Sequence, residues 1–224
     1  MAQAGIHAMV GVAFKKVASR QEWLLLGVIL GNLLPDLDNY AVAIATIAQR
    51  DPHGLHRTFT HSLFTILVVI SLFLIISRIR REPRWANLGL GLGLGVGMHI
   101  LLDLLIWFNG VELLWPLGGW VNLWEGIQPP DWFQTLLNPA ELLFFGLFLA
   151  WLAQAAKKHH TNTDFLSKLR WWILAMVILL VVFTPLAYIM TTGYLTVFGA
   201  VYLFVITAVI AITVRMRQTI AAVG

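Results

Sequence analysis

The sequence predicts an all-α membrane protein, a polytopic transmembrane helical bundle with about six to seven membrane-embedded helices in a single domain over residues 1–224. The composition indicates this class: of 224 residues, 59% are hydrophobic and 12% are charged, whereas soluble proteins average about 45–50% and about 25%. The apolar residues also form long stretches, at residues 63–76, 88–108, 142–153 and 171–214. The last stretch holds two segments of about twenty residues, the length that a hydrocarbon core of about 30 Å requires.

The basic residues mark one side of the predicted bundle. Thirteen of the fifteen Lys and Arg residues form four groups at the boundaries of apolar segments: Lys15, Lys16 and Arg20; Arg78, Arg80, Arg81 and Arg84; Lys157, Lys158, Lys168 and Arg170; Arg215 and Arg217. The connection at residues 109–138 has no basic residue. The positive-inside rule places the basic loops and the terminal regions in the cytoplasm, and the 109–138 loop outside the plasma (inner) membrane of a bacterium or archaeon. The excess of basic residues therefore indicates how the chain is oriented in a lipid bilayer, and we expect no nucleic-acid partner.

The first predicted helices alternate in direction. Residues 4–18 predict a short apolar helix that runs toward the cytoplasmic side, and residues 21–34 predict a returning helix that stops at Pro35. Residues 40–49 are mixed in character and predict a short re-entrant or interfacial helix. Residues 60–79 then predict a long helix from the outside to the inside.

The next predicted helix, over residues 86–108, carries a glycine pattern. Its glycines at i and i+4 form small-xxx-small patterns, which let another helix approach closely; they are Gly89, Gly91, Gly93, Gly95 and Gly97. The outer loop that follows is rich in tryptophan, as an interfacial aromatic belt requires, at Trp115, Trp120, Trp124 and Trp132.

The last part of the chain predicts three accessory transmembrane helices over residues 139–214. Asn138, Pro139 and Glu141 have the order of a helix cap, a first-turn proline and a capping-box glutamate, so the first of these helices is predicted to begin there. The break between the other two is predicted at Thr191, Thr192 and Gly193.

The candidate functional residues are ionisable side chains within this apolar pattern, where they are costly. They are His7, Asp36, Asp38, His56, His61, His99 and Asp103. With a helical rise of ~1.5 Å per residue, four separate segments bring His or Asp to a similar level, roughly 16–25 Å from their basic ends and in the outer half of the bilayer. His99 and Asp103 lie four residues apart and so share one helix face, as a metal pair or a His–carboxylate relay requires. Three or four such ligands with an open position suit a catalytic zinc or another divalent metal.

Each candidate also has a structural interpretation. Asp36 and Asp38 follow a proline and can end one helix and cap the next. His61 can lie at the start of a helix, while His7 and His99 can be core histidines. Arg57 is either a clamp for a phosphate or carboxylate or an interfacial surface arginine. Glu141 is assigned to capping, with a metal role as the alternative, and three histidines are predicted to be solvated in loops: His53, His159 and His160.

Together these motifs resemble those of the YdjM-type membrane-bound metal-dependent hydrolases over roughly residues 5–120. The motifs that carry the resemblance are an early His (His7), Leu-Pro-Asp-x-Asp (residues 34–38), His-Arg-x-x-Thr-His-Ser (residues 56–62), Gly-x-x-x-His-x-x-x-Asp (residues 95–103) and a Trp-Pro pair (Trp115, Pro116). The His-Arg-x-x-Thr-His-Ser motif, at residues 56–62, is the most specific of these motifs. The three accessory helices carry no motif that matches.

The resemblance implies hydrolysis, and a more distant likeness to zinc-dependent phospholipase C and related single-strand nucleases implies a ligand arrangement. On that likeness, one metal is shared by four residues, Asp36, His61, His99 and Asp103. His7 serves a second metal, with Asp103 as the bridge. The later His-rich motif of those enzymes is missing here, so one or two ions are expected, with zinc as the predicted metal. His56 is a further candidate ligand.

The function that we predict is metal-dependent hydrolysis of a phosphoester in a lipid or lipid-linked substrate. Arg57 would hold substrate charge, Asp38 would act as a base or orient its neighbours, and Ser62 and Thr60 would donate hydrogen bonds. The chain lacks the His-Glu-x-x-His and Gly-x-Ser-x-Gly motifs of metalloproteases and serine esterases. The main alternative is a proton- or ion-coupled transporter that uses the same His/Asp cluster. It is disfavoured because the intramembrane polar residues all precede residue 110 in the predicted topology. A metal-stabilised protein without turnover is the third possibility.

Overall fold

The computed structural model describes residues 4–18, 21–108, 110–190 and 192–224. Ten α-helices account for most of these residues: α1 (Ala4–Ala13), α2 (Lys15–Ala18), α3 (Leu24–Leu33), α4 (Asn39–Ile47), α5 (Leu63–Arg80), α6 (Pro83–Ile106), α7 (Asp131–His159), α8 (Leu166–Ile189), α9 (Tyr194–Arg215) and α10 (Arg217–Val223). Single 3-10 turns precede α4, α5 and α8, at Pro35–Asp38, Phe59–His61 and Thr163–Phe165. Three residues of the sequence analysis lie outside the described ranges: Arg20, Asn109 and Thr191.

The all-α class is confirmed, but the predicted number of spans is wrong. Five segments of the described chain are long and apolar enough to cross a membrane: α5, α6, α7, Thr163–Ile189 and α9. Six to seven were expected because α1 and α3 were counted as embedded helices. Each has only ten residues, which extend ~15 Å, about half of the ~30 Å hydrocarbon core.

The short helix α3 lies at the centre of the bundle. All ten of its residues are buried, and it packs against α6 along most of its length and against α1. The contact with α6 is backbone to backbone, because a Cβ atom at Gly27 or Gly31 would lie 2.9 Å from the Cα of Gly91 or Gly95. The close approach predicted from the alternating glycines is therefore confirmed for Gly91 and Gly95.

The start of α5 differs from its prediction, which had a helix begin at residue 60. The helix begins at Leu63, because the Ser62 Oγ accepts a hydrogen bond from the Thr65 backbone N–H and caps the first turn. Residues before this cap form the 3-10 turn Phe59–His61. This turn carries His61 away from the axis of α5 and into the bundle, where its side chain is fully buried.

The prediction that a helix begins at Asn138 is wrong. Helix α7 begins at Asp131 and continues through Pro139, as proline is tolerated in membrane helices when neighbouring groups satisfy the freed backbone carbonyl. Glu141 therefore does not cap its own helix. Its Oε2 accepts a hydrogen bond of 2.8 Å from the Gly5 backbone N–H, so it caps the first turn of α1 instead.

A small β-hairpin lies in the connection between α6 and α7. Strands β1 (Val111–Glu112) and β2 (Trp120–Val121) are antiparallel, and Glu112 pairs with Trp120. The Glu112 N–H donates to the Arg57 carbonyl oxygen at 2.9 Å. The hairpin thus covers the end of the bundle at which the predicted functional residues lie.

Candidate metal centre

The predicted ligands from four separate segments meet at one end of α6. Helix α1 supplies His7, the 3-10 turn after α3 supplies Asp36, the turn before α5 supplies His61, and α6 supplies His99 and Asp103. All five side chains are buried, with at most 2% of any of them exposed. Burial of this many ionisable groups is costly in an apolar bundle unless they pair with one another or with an ion.

Two imidazole rings face each other at the centre of this cluster. The Nε2 atoms of His61 and His99 are 3.0 Å apart. Asp103 Oδ2 lies 3.5 Å from the His61 Nε2 and 3.8 Å from the His99 Nε2, and Asp36 Oδ1 lies 3.6 Å from the His99 Nε2. Zinc–nitrogen bonds of ~2 Å in a tetrahedron place donor atoms about 3.3 Å apart. The observed spacing is close to this value, and Asp36, His61 and His99 form a group whose donor atoms can hold an ion.

The hydrogen bonds of the two rings show which nitrogen atoms can bind a metal. The Nδ1 of His99 lies 2.9 Å from the Asn32 carbonyl oxygen, which can only accept, so Nδ1 carries the hydrogen. The Nδ1 of His61 lies 2.8 Å from the Thr60 Oγ1, whose own hydrogen goes to Asp38 Oδ2 at 2.7 Å. Both Nε2 atoms are then left with lone pairs that point at each other. A cation between them removes that repulsion, and neutral imidazole held at its other nitrogen is the usual metal ligand.

His7 extends the cluster on the other side of Asp103. Its Nε2 lies 3.2 Å from Asp103 Oδ1, and its ring stacks on that of His99, with centroids 3.8 Å apart. The two carboxylate oxygens of Asp103 therefore face different histidines, Oδ1 facing His7 and Oδ2 facing His61 and His99. His7, His99 and Asp103 form a second group whose donor atoms can hold an ion. This arrangement has the form of the bridging carboxylate that the resemblance implied.

Asp38 organises the segment that carries His61. Its Oδ2 accepts from the Thr60 hydroxyl and from the Arg57 N–H at 3.1 Å, and its Oδ1 lies 2.6 Å from the His56 Nδ1. Burial alone raises the carboxyl pKa of Asp38, but the hydrogen bond from His56 and the nearby His61 imidazole outweigh it and hold this pKa below its ordinary value. The carboxylate is therefore ionised and fully engaged, which favours the orienting role of Asp38 over that of a base.

His56 stands apart from the other predicted ligands. Its Nδ1 donates to Asp38, and no hydrogen-bond partner for its Nε2 exists in the described part of the chain. Burial lowers the pKa of the His56 imidazole, and the Asp38 carboxylate offsets only part of that effect. A neutral ring with Nδ1 protonated leaves a lone pair on Nε2. His56 also belongs to a third group of potential ligands, with Asp38 and His61.

Arg57 is held in an unusual backbone conformation. Its φ of 63° lies in the left-handed region, which costs a non-glycine residue roughly 1–2 kcal/mol. Hydrogen bonds of its N–H to Asp38 and of its carbonyl to Glu112 hold it there. The guanidinium is buried, with Nε 3.2 Å from Asp103 Oδ2, and Nη1 has no hydrogen-bond partner among the residues that the structure describes. A buried cation with a spare donor beside the ligand cluster suits an anionic group.

Two residues with predicted roles lie outside the cluster. The Ser62 Oγ contacts the Phe59 carbonyl and the Thr65 backbone, so its hydrogen bonds serve the start of α5. Glu141 is fully buried, yet none of the three ligand groups found in the described chain includes it. The sequence predicted that all buried polar residues precede residue 110. Glu141 follows this position, so that prediction is wrong.

Sequence reasoning missed two contributors to this region. The Asn32 backbone carbonyl fixes the His99 ring, and no side-chain pattern in the sequence signals this contact. Glu112 was placed only in the outer loop. With Trp120, it lines a cavity of about 620 Å³ beside residues 52–58, which include His56. We call this cavity the vestibule, because His56 in its wall contacts Asp38 beside the ligand cluster.

Loss of the Thr60 hydroxyl is expected to weaken metal binding by roughly 10–100-fold, the usual cost of losing a hydrogen-bond partner of a metal ligand. Thr60→Val keeps the shape of the side chain but breaks the relay from the His61 Nδ1 to Asp38. Metal affinity would be measured by competition with a coloured chelator. Thr46→Val is the matched control, because its hydroxyl bonds only the Val42 carbonyl on the exposed α4. Equal affinities of the two variants would contradict the orienting role.

The comparisons with known proteins point to one family. A family model described as YdjM inner membrane protein matches residues 1–219, so the similarity extends well beyond the residues 5–120 that carried the sequence resemblance. No curated protein and no solved structure is significantly similar to the chain.

Proposed function

The chain belongs to the YdjM inner membrane protein family, and from this premise we propose that it is a membrane-embedded metal-dependent hydrolase of a phosphoester in a lipid or lipid-linked substrate. One observation carries the proposal: the Nε2 atoms of His61 and His99 face each other at 3.0 Å beside the Asp103 carboxylate. Structural histidines in a membrane core usually satisfy both ring nitrogens with protein partners, whereas these two present bare Nε2 atoms to one point.

Five residues of the cluster would hold the metal ions of such a reaction. His61, His99, Asp36 and Asp103 would hold one ion, and His7 with the other oxygen of Asp103 would hold a second. Zinc is the ion that this donor set favours. When bound, such an ion lowers the pKa of a coordinated water and polarises a phosphoryl oxygen.

Arg57 would hold the negative charge of the substrate. Its guanidinium is buried next to Asp103, and its Nη1 donor is without a partner in the described ranges. A donor fixed in place before substrate arrives loses no free energy to reorganisation when charge develops on the phosphoryl oxygens. The fixed backbone of Arg57, held by Asp38 and Glu112, supports this role.

His56 is suited to moving a proton. Its Nδ1 is fixed by Asp38, its side chain lines the vestibule, and its Nε2 is buried without a hydrogen-bond partner among the described residues. A neutral imidazole held at Nδ1 in this way would use Nε2 to accept a proton from a bound water or to return one to the leaving oxygen. The alternative for His56 is the predicted role of a metal ligand, with Asp38 and His61. The vestibule lies beside the backbone of Arg57, because Glu112 in its wall bonds the Arg57 carbonyl, and the 109–138 loop around it faces outward in the proposed orientation.

Arg57→Lys is expected to lower turnover about 100-fold, the typical cost of one lost donor to a developing charge, while metal content stays unchanged. Lysine keeps the charge beside Asp103 but lacks the planar fork of donors that reaches a phosphate. Hydrolysis of short-chain phospholipids and lipid phosphates would be measured on metal-loaded protein in detergent, with chelator and metal add-back. Arg50→Lys, an exposed arginine, is the control. Metal-loaded wild type that hydrolyses none of these substrates would overturn the proposal.

A proton- or ion-coupled transporter that uses the same His/Asp cluster remains the second candidate, because of Glu141. This carboxyl is fully buried on α7, and its Oε1 has no partner within the described ranges. Buried acids of this kind occur in proton and ion pathways. Proteoliposomes with a pH-sensitive or metal-sensitive dye inside would separate the candidates, because only a transporter would move the ion across the bilayer in a Glu141-dependent way.

A further inference from the structure

The vestibule presents an acidic and an aromatic side chain together. Glu112 and Trp120 are directly opposite each other in the hairpin, so their side chains project from the same face. Both side chains line the cavity of about 620 Å³. The Trp120 side chain is 52% exposed, which leaves a face of its indole ring open to a ligand.

The Glu112 carboxylate has no cationic partner. Across residues 4–18, 21–108, 110–190 and 192–224, no hydrogen bond or ion pair engages its side chain. Arg57, whose backbone contacts that of Glu112, is already paired with Asp103. A carboxylate beside an open indole ring is the combination that attracts an organic ammonium group, by charge and by cation–π interaction.

One backbone hydrogen bond joins Glu112 to Arg57, the residue proposed to bind the phosphate. The Glu112 N–H donates to the Arg57 carbonyl at 2.9 Å, and the Arg57 N–H donates to Asp38. The hairpin therefore places the backbone of Glu112 next to the backbone of Arg57, whose guanidinium is the proposed phosphate clamp. A ligand that spans both positions carries a phosphate at Arg57 and a positive charge in the vestibule.

We infer that the vestibule binds the ammonium group of a zwitterionic phospholipid headgroup, with Glu112 and Trp120 as the residues that select it. This inference rests on the proposed function, because the phosphate of the same headgroup would occupy the metal centre. The headgroup can be of the ethanolamine or the choline type. A primary ammonium would depend more on the Glu112 carboxylate, and a quaternary ammonium more on the Trp120 ring.

The test is equilibrium binding of three short-chain lipids that differ only in headgroup: phosphatidylethanolamine, phosphatidylcholine and phosphatidylglycerol. The full metal-loaded chain in detergent would be titrated by calorimetry. We expect at least one zwitterionic lipid to bind about fivefold more tightly than phosphatidylglycerol, as one cation–π contact and one exposed ion pair allow. Glu112→Gln is expected to remove most of this preference. Glu125→Gln, an exposed glutamate in the same loop, is expected to keep it.

Three results would overturn the inference: no lipid binding, equal binding of phosphatidylglycerol, or equal effects of Glu112→Gln and Glu125→Gln. Trp120→Leu provides a second variant that keeps the backbone pairing of the hairpin. The test distinguishes failure of the proposed function from failure of this inference. A protein that binds zwitterionic lipid through Glu112 but hydrolyses none contradicts the hydrolase and leaves the headgroup site standing. Hydrolysis without a headgroup preference contradicts the site alone.

Discussion

Replacing His99 by alanine is expected to weaken binding of a divalent metal by more than the roughly 10–100-fold that loss of a ligand's hydrogen-bond partner costs. The His99 Nε2 lies within 3.8 Å of donor atoms on His61, Asp36 and Asp103. His99 also belongs to two of the three ligand groups found in the described chain. Its removal therefore takes away the one free nitrogen that faces His61, Asp36 and Asp103 at the first ion position.

The measurement is elemental analysis of purified protein after dialysis against a weak chelator. Wild type is expected to retain about one or two equivalents of zinc or another divalent metal, the number that the three overlapping ligand groups allow. His160→Ala is the matched control, because His160 is exposed at the end of α7. Asp103→Asn provides a second variant of the same volume. Wild type that stays free of metal after metal is supplied would refute the metal centre, provided that its thermal unfolding shows a folded protein.

The ligand cluster was predictable in part because depth in a bilayer can be counted from sequence. His7, His61 and His99 lie on different segments, and each is separated from a basic boundary by a countable number of residues. Counting with a fixed rise brings them to a similar level, although it cannot show which of them touch. The contact of His61 with His99 depends on the 3-10 turn at Phe59–His61, which the hydrophobic pattern does not distinguish from the first turn of α5.

Other features had no sequence signal of the right kind. The Asn32 carbonyl that fixes His99 is a backbone group, and any residue at that position would supply one. Glu141 has the spacing of a capping box, but it caps α1 across the bundle because α7 runs on through Pro139. Local rules describe contacts within a few residues of each other, so they cannot find a cap that is separated from its helix by 136 positions.

Gly95→Ala is expected to destabilise the protein and to weaken the metal centre together. A Cβ atom at Gly95 would meet the Val28 carbonyl oxygen and would lie 2.8 Å from the Gly31 Cα and 2.9 Å from the Asn32 N. These are backbone atoms of α3, so a change of side-chain rotamer cannot relieve the overlap. The two helices must separate, at a cost of about 1–3 kcal/mol as in other overpacked cores.

Gly97→Ala separates this effect from a general effect of alanine in α6. A Cβ atom at Gly97 would contact only the Ile66 Cδ1 at 3.8 Å, and alanine favours the helix by up to about 1 kcal/mol relative to glycine. Thermal unfolding in detergent should therefore show a lower Tm for Gly95→Ala and an equal or higher Tm for Gly97→Ala. Metal affinity should fall only in Gly95→Ala, because Asn32 holds the His99 ring across this contact. A loss of stability without any loss of metal affinity would mean that the α3–α6 contact does not position the histidine.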